Sequence, residues 1–385
     1  MKHLKKSEKK SLLLLMAKIF LVLQIVAMVG VTVYMAVTQL FPLKYLLILL
    51  LLFASIAVFS ISMLLMKTKG NATRIISIVL SVVVLFVSSL GTVYLGTIHN
   101  SFSKIPDAEV EHAANKTDVS KKPFIVYLSG VDTRGSSKIQ EKALSDVNMV
   151  VIVNPKTAKI LMVNIPRDYY LPLEGDKNKM DKLTHAGNKG VACSMKTLEA
   201  LFDIEFNYYA KVNFKSVVDI VDHLGGITVN SDYNFSSCYS LTEDVYYHFK
   251  KGENKLTGLS ALAFARERDS FAGGDRQRGI HQQVVIKAII EKALSPSNLT
   301  PTKISKFVDC ITENTNTNIS YDEISTLVKL QLDKMPSWDI QSISVDGTGS
   351  TQPTYTTGGL KAYVMIPTES TVDEAKLKIK EVLGK

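Results

Sequence analysis

The sequence has little cysteine, and it lacks both a zinc-binding His/Cys pattern and a serine-nucleophile motif. Its 385 residues include three cysteines, Cys193, Cys238 and Cys310, too few for a framework of disulfides. A bridge between Cys193 and Cys238 that leaves Cys310 buried is one alternative in an oxidising compartment, and three reduced thiols are the other. No His/Cys spacing resembles a zinc site, and no serine stands in a G-x-S-x-G elbow. These absences count against a zinc enzyme and against an elbow-type serine hydrolase.

Acidic residues are nearly absent from the first 98 positions. This segment holds ten lysines and arginines and one acid, Glu8, so it carries the whole net charge of +9. The remaining 35 basic and 35 acidic residues cancel. Since a nucleic-acid-binding domain needs a basic surface of its own, we expect no nucleic-acid partner.

The same segment contains three long apolar runs, Leu12–Thr38, Leu43–Met66 and Ile75–Ile98. Each has the roughly 20 residues that a helix needs to cross a bilayer. A signal peptide has a single short apolar region, so three full-length runs predict retained transmembrane helices. A buried helical bundle is the alternative, but these runs have almost no polar face to turn toward water.

The basic residues also predict the orientation. Five lysines precede the first run, and the segment 67–74 (KTKGNATR) joins the second run to the third. The link between the first two runs carries only Lys44. Because Lys/Arg-rich loops stay in the cytoplasm, we predict a multi-pass protein of the cell membrane with a cytoplasmic N-terminus. Residues 99–385 then lie outside.

We divide the chain into four parts. Residues 1–98 are the basic N-terminus and the three spans, 99–121 a polar linker, 122–345 an extracellular catalytic domain, and 346–385 a C-terminal loop, strand and helix packed on it. Apolar strand-like runs alternate with helical patterns from residue 123 onward, which indicates an α/β domain with helices on both faces of one sheet. The Thr/Gly-rich segment 346–360 is predicted to be a loop.

Charged residues follow the predicted strands. Asp132 and Arg134 follow the first strand, Asp146 opens the second, and Arg167 and Asp168 follow the third. Polar loops at the carboxyl ends of strands are where α/β sheets bind ligands. Carboxylates without histidine suit a hard cation such as Mg²⁺. Salt bridges that close the sheet edge are the alternative interpretation.

Four arginines flank a Gly-Gly break between two predicted helices: Arg266, Arg268, Arg276 and Arg278. The guanidinium fork matches phosphate oxygens, and so many forks suit a pyrophosphate better than a single phosphate. Arginines beside a metal ion are the equipment of phosphoryl transfer. His281, one helical turn after Arg278, is a further candidate to face the anion, whereas we expect Trp338 and the tyrosines to serve packing.

These motifs resemble the LytR-CpsA-Psr family. The resemblance rests on Gly-x-Asp-x-Arg at 130–134, Ser-Asp at 145–146, IPRD at 165–168, KVNF and VDHLGGI within 211–227, ALAFARER at 261–268, and Asp-x-x-Arg-x-x-x-Gln at 275–282. Six ordered motifs span about 170 positions, from Phe124 to Ala293. The likeness implies a three-layer domain with a central mixed sheet flanked by helices, behind the three transmembrane helices.

The resemblance also implies an activity. Members of the family move a glycopolymer, such as teichoic acid or capsular polysaccharide, from a polyprenyl (undecaprenyl) pyrophosphate carrier to peptidoglycan, typically to the 6-hydroxyl of N-acetylmuramic acid. The chain is thus expected to be a glycopolymer–peptidoglycan phosphotransferase. It would need Mg²⁺, or alternatively Mn²⁺, and would hold the polyprenyl tail in an apolar tunnel.

Carried over residue by residue, the resemblance assigns the site. Asp132 and Asp146 would bind the metal, and Asp132 or Asp168 would take the acceptor proton. The remaining roles concern the pyrophosphate: Arg134, Arg167, Arg266 and Arg278 would hold it with Gln282, Arg268 and Asp275 would support the cluster, and Asp168 would orient Arg167. His281 departs from the family, which often has arginine there, so one phosphate contact would be weaker or pH-dependent.

Two other functions remain as alternatives. A polyprenyl pyrophosphate hydrolase would use the same site with water as the acceptor. A non-enzymatic envelope sensor or transcriptional attenuator would need a cytoplasmic output, but only about ten residues precede the first span. Supplying peptidoglycan beside the lipid-linked donor distinguishes the transferase from the hydrolase, because only a transferase forms a joined product.

Overall fold

The structure is a computed structural model that describes residues 2–38, 41–65, 70–103, 117–131, 139–140, 142–174, 179–237 and 245–385. The chain divides into two compact units. The first comprises residues 1–101, and the second comprises nearly all of the remainder.

Three helices form the first unit: α1 (Lys2–Thr38), α2 (Leu43–Leu65) and α3 (Gly70–Ser103). Their apolar stretches, Ser11–Thr38, Leu43–Leu65 and Asn71–Thr97, are long and apolar enough to cross a membrane. Helices therefore occupy all three predicted spans.

The interior of this unit contains polar side chains, and its exterior is apolar. Gln24 of α1 is fully buried and accepts a hydrogen bond from Ser81 of α3 at 2.7 Å, with the Ser60 hydroxyl of α2 at 3.4 Å. Large apolar side chains such as Val26 and Phe86 are exposed. Polar side chains hold helices together in a bilayer, where apolar surface meets lipid. This arrangement favours membrane spans over the buried-bundle alternative.

The second unit is built on a mixed six-stranded sheet. The described strands of the whole unit, including those outside this sheet, are β1 (Phe124–Val131), β2 (Ser145–Asn154), β3 (Lys159–Ile165), β4 (Tyr170–Leu173), β5 (Lys179–Lys182), β6 (Tyr208–Asn213), β7 (Ile227–Ser231), β8 (Phe235–Ser237), β9 (Tyr247–Phe249), β10 (Gly252–Leu256), β11 (Thr315–Thr317), β12 (Asp339–Ser344), β13 (Gly347–Pro353) and β14 (Lys361–Pro367). The sheet order is β11-β6-β1-β2-β3-β12. β1 runs parallel to β6 and β3 parallel to β12, and the other neighbours are antiparallel.

Helices cover both faces of this sheet. The described helices are α4 (Leu183–Ala186), α5 (Val191–Phe202), α6 (Phe214–His223), α7 (Gly258–Arg266), α8 (Asp275–Leu294), α9 (Pro301–Asn314), α10 (Tyr321–Lys334) and α11 (Glu369–Leu383). Apolar side chains of α5 and α11, including Leu198 and Ile379, share one core with the sheet. Ile286 and Ile290 of α8 pack against Met149 and Met162 on the other face. The near-continuous apolar runs of β1–β3 suit a sheet that is buried on both faces.

Smaller two-stranded ribbons complete the unit. They pair β4 with β5, β7 with β10, β8 with β9, and β13 with β14. In the last ribbon every residue of β13 faces a partner on β14, from Gly347 opposite Pro367 to Pro353 opposite Lys361. The predicted loop at 346–360 was therefore wrong over residues 347–353, because pairing with β14 makes a strand there.

Two further predictions concern local features. The helix predicted after the Gly-Gly break is α8, which starts at Asp275, directly after Gly274 with its positive φ of 48°. Cys193 and Cys310 are buried. Cys238 lies outside the described residues, so its pairing with Cys193 stays a prediction, as do the four domain boundaries.

Candidate functional site

Three segments bring charged side chains to one edge of the sheet, which we call the carboxyl edge. β3 ends there at Ile165 and is followed by Arg167 and Asp168, and β12 ends there before Asp346. β2 runs the opposite way, so its first residues, including Asp146, lie at the same edge. Asp132 and Arg134, which follow β1, lie outside the described residues, and their roles stay predictions.

Arg167 joins two of these segments to a helix. Its Nη1 donates to Asp146 Oδ1 at 2.7 Å, and its Nε donates to Asp275 Oδ2 at 3.1 Å. Asp275 is the first residue of α8, where a negative charge is favourable at the positive end of the helix. One guanidinium group thus connects the start of β2, the end of β3 and the start of α8.

Arg278 shares the same carboxylate oxygen. Its Nη2 lies 3.1 Å from Asp275 Oδ2, so Asp275 holds two arginines side by side. Close packing of α8 on β3 makes this possible, because a Cβ at Gly279 would lie 2.5 Å from Asn164 Nδ2. Arg268 is more distant, with Nη1 3.9 Å from Asp275 Oδ1.

The two central arginines differ in their electrostatics. Burial alone would lower the pKa of Arg167, but the hydrogen bond that it donates to Asp146 and the charges of Asp275, Asp146 and Asp168 outweigh burial and raise that pKa. Burial lowers the pKa of Arg278, and the neighbouring charge of Arg167 lowers it further, against the opposing effect of Asp275. Arg278 therefore has less compensating negative charge than Arg167, and an added anion would stabilise its charged form.

A cavity of about 660 Å³ opens beside this cluster. Residues of the segments 164–168, 272–280 and 344–346 line it, together with Asp146, Gln282, Tyr363 and Met365. Among its described charged lining residues, four carboxylates (Asp146, Asp168, Asp275 and Asp346) stand against three guanidinium groups (Arg167, Arg276 and Arg278). The described wall of the cavity therefore carries no excess of positive charge.

Several residues of this wall were not assigned a role from the sequence. Arg276 donates from Nη2 to the carbonyl of Gly347 at 2.7 Å, and its Nε lies 2.8 Å from Asp346 Oδ1. Lys182 is not among the described lining residues, but its Nζ lies 3.0 Å from Oδ1 of the lining residue Asp168. Arg167 Nε is 3.9 Å from the other oxygen of Asp168. Asp346 lies two residues after the last residue of β12, so the signal of a polar residue just after a strand applied to it as well.

Two arginines predicted to belong to the site, Arg266 as a ligand of the pyrophosphate and Arg268 as a support of the cluster, are not part of the described cavity lining. The guanidinium carbon of Arg266, at the end of α7, lies 4.4 Å from the centre of the Phe214 ring. Neither Arg266 nor Arg268 is among the described residues that line the cavity, whereas Gln282 is. Their contacts with a pyrophosphate stay predictions.

His281 does not face the cavity, so that prediction was wrong. Its ring stacks on Phe235, with centroids 5.1 Å apart and planes 11° apart, and Phe264 and Phe271 complete the surroundings. Burial lowers its pKa to about 4, so the imidazole is neutral at physiological pH. The helical turn that carries Arg278 toward the cavity carries His281 into an aromatic cluster instead.

The described carboxylates of the site can be compared with the ligands that a Mg²⁺ ion needs. Within the described ranges, no group of three or more His, Cys, Asp or Glu side chains is arranged to hold a metal ion. Asp146 does line the cavity. Mg²⁺ usually keeps several waters and is bound by one or two carboxylates plus substrate phosphates, so a site of this kind is compatible with the ion.

The fold and the site define a class: an α/β domain that follows, along the chain, three helices long and apolar enough to cross a membrane, with paired arginines and carboxylates at the carboxyl edge of its sheet. The model of the LytR_cpsA_psr family matches residues 93–378. The chain belongs to this family, as the motifs predicted.

Individual relatives agree. The polyisoprenyl-teichoic acid–peptidoglycan teichoic acid transferase TagU of Bacillus subtilis (strain 168) is 36% identical over 249 residues, which cover 64% of this chain and 71% of the relative. The crystal structure of B. subtilis TagV is 29% identical, with a TM-score of 0.57 over 69% of this chain and 98% of that one. TagT bound to LI-WTA is 28% identical, with a TM-score of 0.53 over 70% and 94%.

These comparisons confirm the predicted fold class, a central mixed sheet flanked by helices. They also confirm the expectation that the chain is an enzyme of the transferase type.

Proposed function

We propose that the chain transfers a glycopolymer of the teichoic acid or capsular type from a polyprenyl pyrophosphate carrier to peptidoglycan. The observation that carries the proposal is the pair Arg167 and Arg278, which share one carboxylate oxygen of Asp275 beside the cavity. The names of the relatives, which are transferases of teichoic acid to peptidoglycan, support the same reaction class.

The paired arginines suit a diphosphate. Each guanidinium can donate two parallel hydrogen bonds to phosphate oxygens, and a diphosphate offers several such oxygens. In the described structure both arginines contact the same oxygen of Asp275. A diphosphate that enters the cavity would therefore supply hydrogen-bond acceptors that the pair does not yet have. Burial that lowers the pKa of Arg278 works in the same direction, because an anion relieves the cost of its charge.

The reaction balances as a phosphoryl transfer. The acceptor hydroxyl oxygen bonds to the phosphorus that bears the glycopolymer, and the bond from that phosphorus to the bridging oxygen breaks. Polyprenyl phosphate leaves with the electron pair, the hydroxyl proton passes to a carboxylate of the site, and a phosphodiester remains. Arg167 and Arg278 hold the diphosphate in place and stabilise the charge that develops on its oxygens.

The charge of the cavity supports a requirement for Mg²⁺, with Mn²⁺ as a substitute. A diphosphate is an anion, and the described charged lining already has four carboxylates for three guanidinium groups. Asp146, together with Asp132, would hold the ion. When bound, the ion would supply positive charge that offsets the diphosphate, as metal ions do in phosphoryl transfer.

The membrane arrangement fits this reaction. Polyprenyl carriers reside in the bilayer, and the peptidoglycan acceptor lies outside the cell membrane. We propose that the three spans anchor the enzyme with its N-terminus in the cytoplasm and its catalytic domain outside. The basic residues near the ends of the spans support this orientation.

Substitution of Arg278 tests the proposal. The full chain is assayed in detergent with a lipid-linked saccharide donor and peptidoglycan fragments. Arg278→Ala should lower the transfer rate by about 100-fold or more, because one preorganised donor to the reacting phosphate is lost. Arg278→Lys should be intermediate, since it keeps the charge and loses the fork. Lys287→Ala, on the exposed part of the same helix, is the control.

Three outcomes would count against parts of the proposal. Wild-type transfer by Arg278→Ala would remove that residue from the mechanism. Release of the glycopolymer phosphate without a joined product, in the presence of peptidoglycan, would favour a hydrolase. Full activity in excess EDTA would exclude the metal requirement.

A further inference from the structure

Tyr363 is an exposed aromatic residue in the wall of the cavity. It lies in the middle of β14, and 54% of its surface is exposed. The next two residues, Val364 and Met365, are buried. Tyr363 therefore contributes little to the core, although it lines the same cavity as Arg167 and Arg278.

One side of the Tyr363 ring lies close to a glycine of the paired strand. A Cβ at Gly349, on the paired strand β13, would lie 3.1 Å from Cε2 and 3.2 Å from Oη of Tyr363. Gly349 thus leaves room for the ring to lie close against the backbone of β13. With one side packed and half of its surface exposed, the ring offers a flat apolar surface at little cost in side-chain entropy.

Fixed polar groups accompany the ring in the same cavity. Arg276 is held by Asp346, at 2.8 Å, and by the carbonyl of Gly347, at 2.7 Å. Both Arg276 and Asp346 are about half exposed, so each keeps capacity for further hydrogen bonds. A flat apolar surface with nearby charged donors and acceptors suits a sugar ring, which has an apolar C–H face and a rim of hydroxyl groups.

The diphosphate is a poor occupant for this part of the wall. Tyr363 carries no charge, and the arginine pair that suits a diphosphate is built from β3 and α8 rather than from the β13–β14 ribbon. A cavity of about 660 Å³ also has room for more than a diphosphate, in the range of sites that hold larger ligands.

We propose that Tyr363, supported by Gly349 and flanked by Arg276 and Asp346, stacks against a sugar ring of the glycan substrates. The inference rests on the proposed function, in which both the donor and the acceptor carry sugars. Two sources of the ring are chemically equivalent here: the first sugar of the donor, next to its diphosphate, and the muramyl sugar of the acceptor.

The test compares Tyr363→Ala and Tyr363→Phe in the full chain, in detergent. Binding is titrated with three probes: a short polyprenyl pyrophosphate without sugar, the same pyrophosphate carrying a disaccharide, and a soluble peptidoglycan disaccharide. Tyr363→Ala should weaken one or both sugar-bearing probes by about three- to tenfold, the size of an aromatic stacking contribution. Tyr363→Phe should bind as the wild type does. Tyr246→Ala, an exposed tyrosine that does not line the cavity, is the control.

The probes separate the two sources of the sugar. Weaker binding of the peptidoglycan disaccharide alone assigns the ring to the acceptor, and weaker binding of the disaccharide-bearing pyrophosphate alone assigns it to the donor. Equal loss for the sugarless pyrophosphate would overturn the proposal, because Tyr363 would then contact the lipid or the diphosphate. Unchanged binding of both sugar probes, or a Phe variant as weak as the Ala variant, would overturn it too.

Failure of the proposed function would look different. A wild-type chain that binds the sugar probes through Tyr363 but forms no joined product would refute transfer and leave the sugar subsite intact. Normal transfer by a Tyr363→Ala chain with unchanged KM values would refute the subsite and leave transfer intact.

Discussion

His281 is a buried imidazole whose neighbours are mainly phenylalanine rings. Its pKa in the folded state is about 4, below the ordinary value of 6.5, because burial disfavours the charged form. The unfolded chain therefore binds a proton at a higher pH than the folded chain does. The contribution of this residue to the free energy of unfolding is fully present above about pH 6.5 and is lost as the pH falls toward 4. Its full size is on the order of 3 kcal/mol.

Replacing His281 by phenylalanine should remove this dependence. The aromatic surroundings suit a phenyl ring, so we expect His281→Phe to flatten the plot of unfolding midpoint against pH between 6.5 and 4. Thermal unfolding of the wild type and the variant at several pH values measures it. His223→Phe, at an exposed position, should keep the wild-type slope. An unchanged slope in His281→Phe would show that another group dominates acid sensitivity in this range.

Asp181 contributes in the same direction at lower pH. Burial alone would raise the pKa of its carboxyl, but hydrogen bonds from Thr356 and His185 outweigh it and lower that pKa below the ordinary 3.8. Its contribution is therefore present above about pH 4 and is lost below that. The two residues act in adjacent pH ranges, which makes the His281 variant a clean test between 6.5 and 4.

Some residues of the candidate site could be predicted from the sequence, and others could not. Arg167, Asp168 and Arg278 were found because a charged residue after a strand, or at the start of a helix, is a local signal. Arg276 was noticed as one of four arginines, but its partner Asp346 is 70 positions away, and the sequence alone does not pair them. The environment of His281 depends on which face of α8 packs against the aromatic residues of β8 and α7. That packing is a tertiary property, which the local sequence does not reveal.

At the scale of elements, the contact between α8 and β3 sets the position of Arg278. Gly279 of α8 lies so close to Asn164 of β3 that a methyl group would force one of them to move. Arg278 precedes this contact by one residue, and Arg167 follows β3 by two. The separation of the two arginines therefore depends on how closely the helix approaches the strand.

Gly279→Ala should disturb both stability and transfer. Overpacking of this kind typically costs about 1–3 kcal/mol, and a shift of about 1 Å between catalytic groups can cost 100-fold in rate. Chemical denaturation and the transfer assay measure the two effects. Gly91→Ala, at a helical glycine that does not line the cavity, is the matched control, since a Cβ there would have no neighbour within 4 Å. Adding Asn164→Ala to the Gly279→Ala chain should restore stability, and no recovery would mean that the clash is not the cause.

The elements also show why parts of the fold could be predicted. The strands β1, β2 and β3 are long apolar runs, and α5 places Met195, Leu198 and Phe202 at helical spacing, so local pattern was sufficient. The strand β13 is mostly threonine, serine and glycine and has no apolar alternation. It forms because β14 supplies its backbone partners, and such pairing does not appear in the local pattern.

At the scale of the whole molecule, charge is segregated along the chain. The first 98 residues carry a net charge of +9, and the remaining residues carry none. The five lysines in the first turns of α1 and the basic residues at 67–74 are expected on the same side of the membrane. Near the link between α1 and α2 the only basic residue is Lys44, at the start of α2. With an odd number of spans, we predict that the catalytic domain lies on the side opposite to the N-terminus.

This topology predicts that a C-terminal epitope tag is accessible from outside. Protease added to intact protoplasts should remove that tag and leave an N-terminal tag protected, because the membrane shields only the cytoplasmic side. Lysis with detergent before proteolysis should expose both tags and serves as the control. A C-terminal tag that survives in intact protoplasts would place the domain in the cytoplasm. In that case the enzyme could not reach peptidoglycan, and the alternative of a cytoplasmic regulator would have to be considered again.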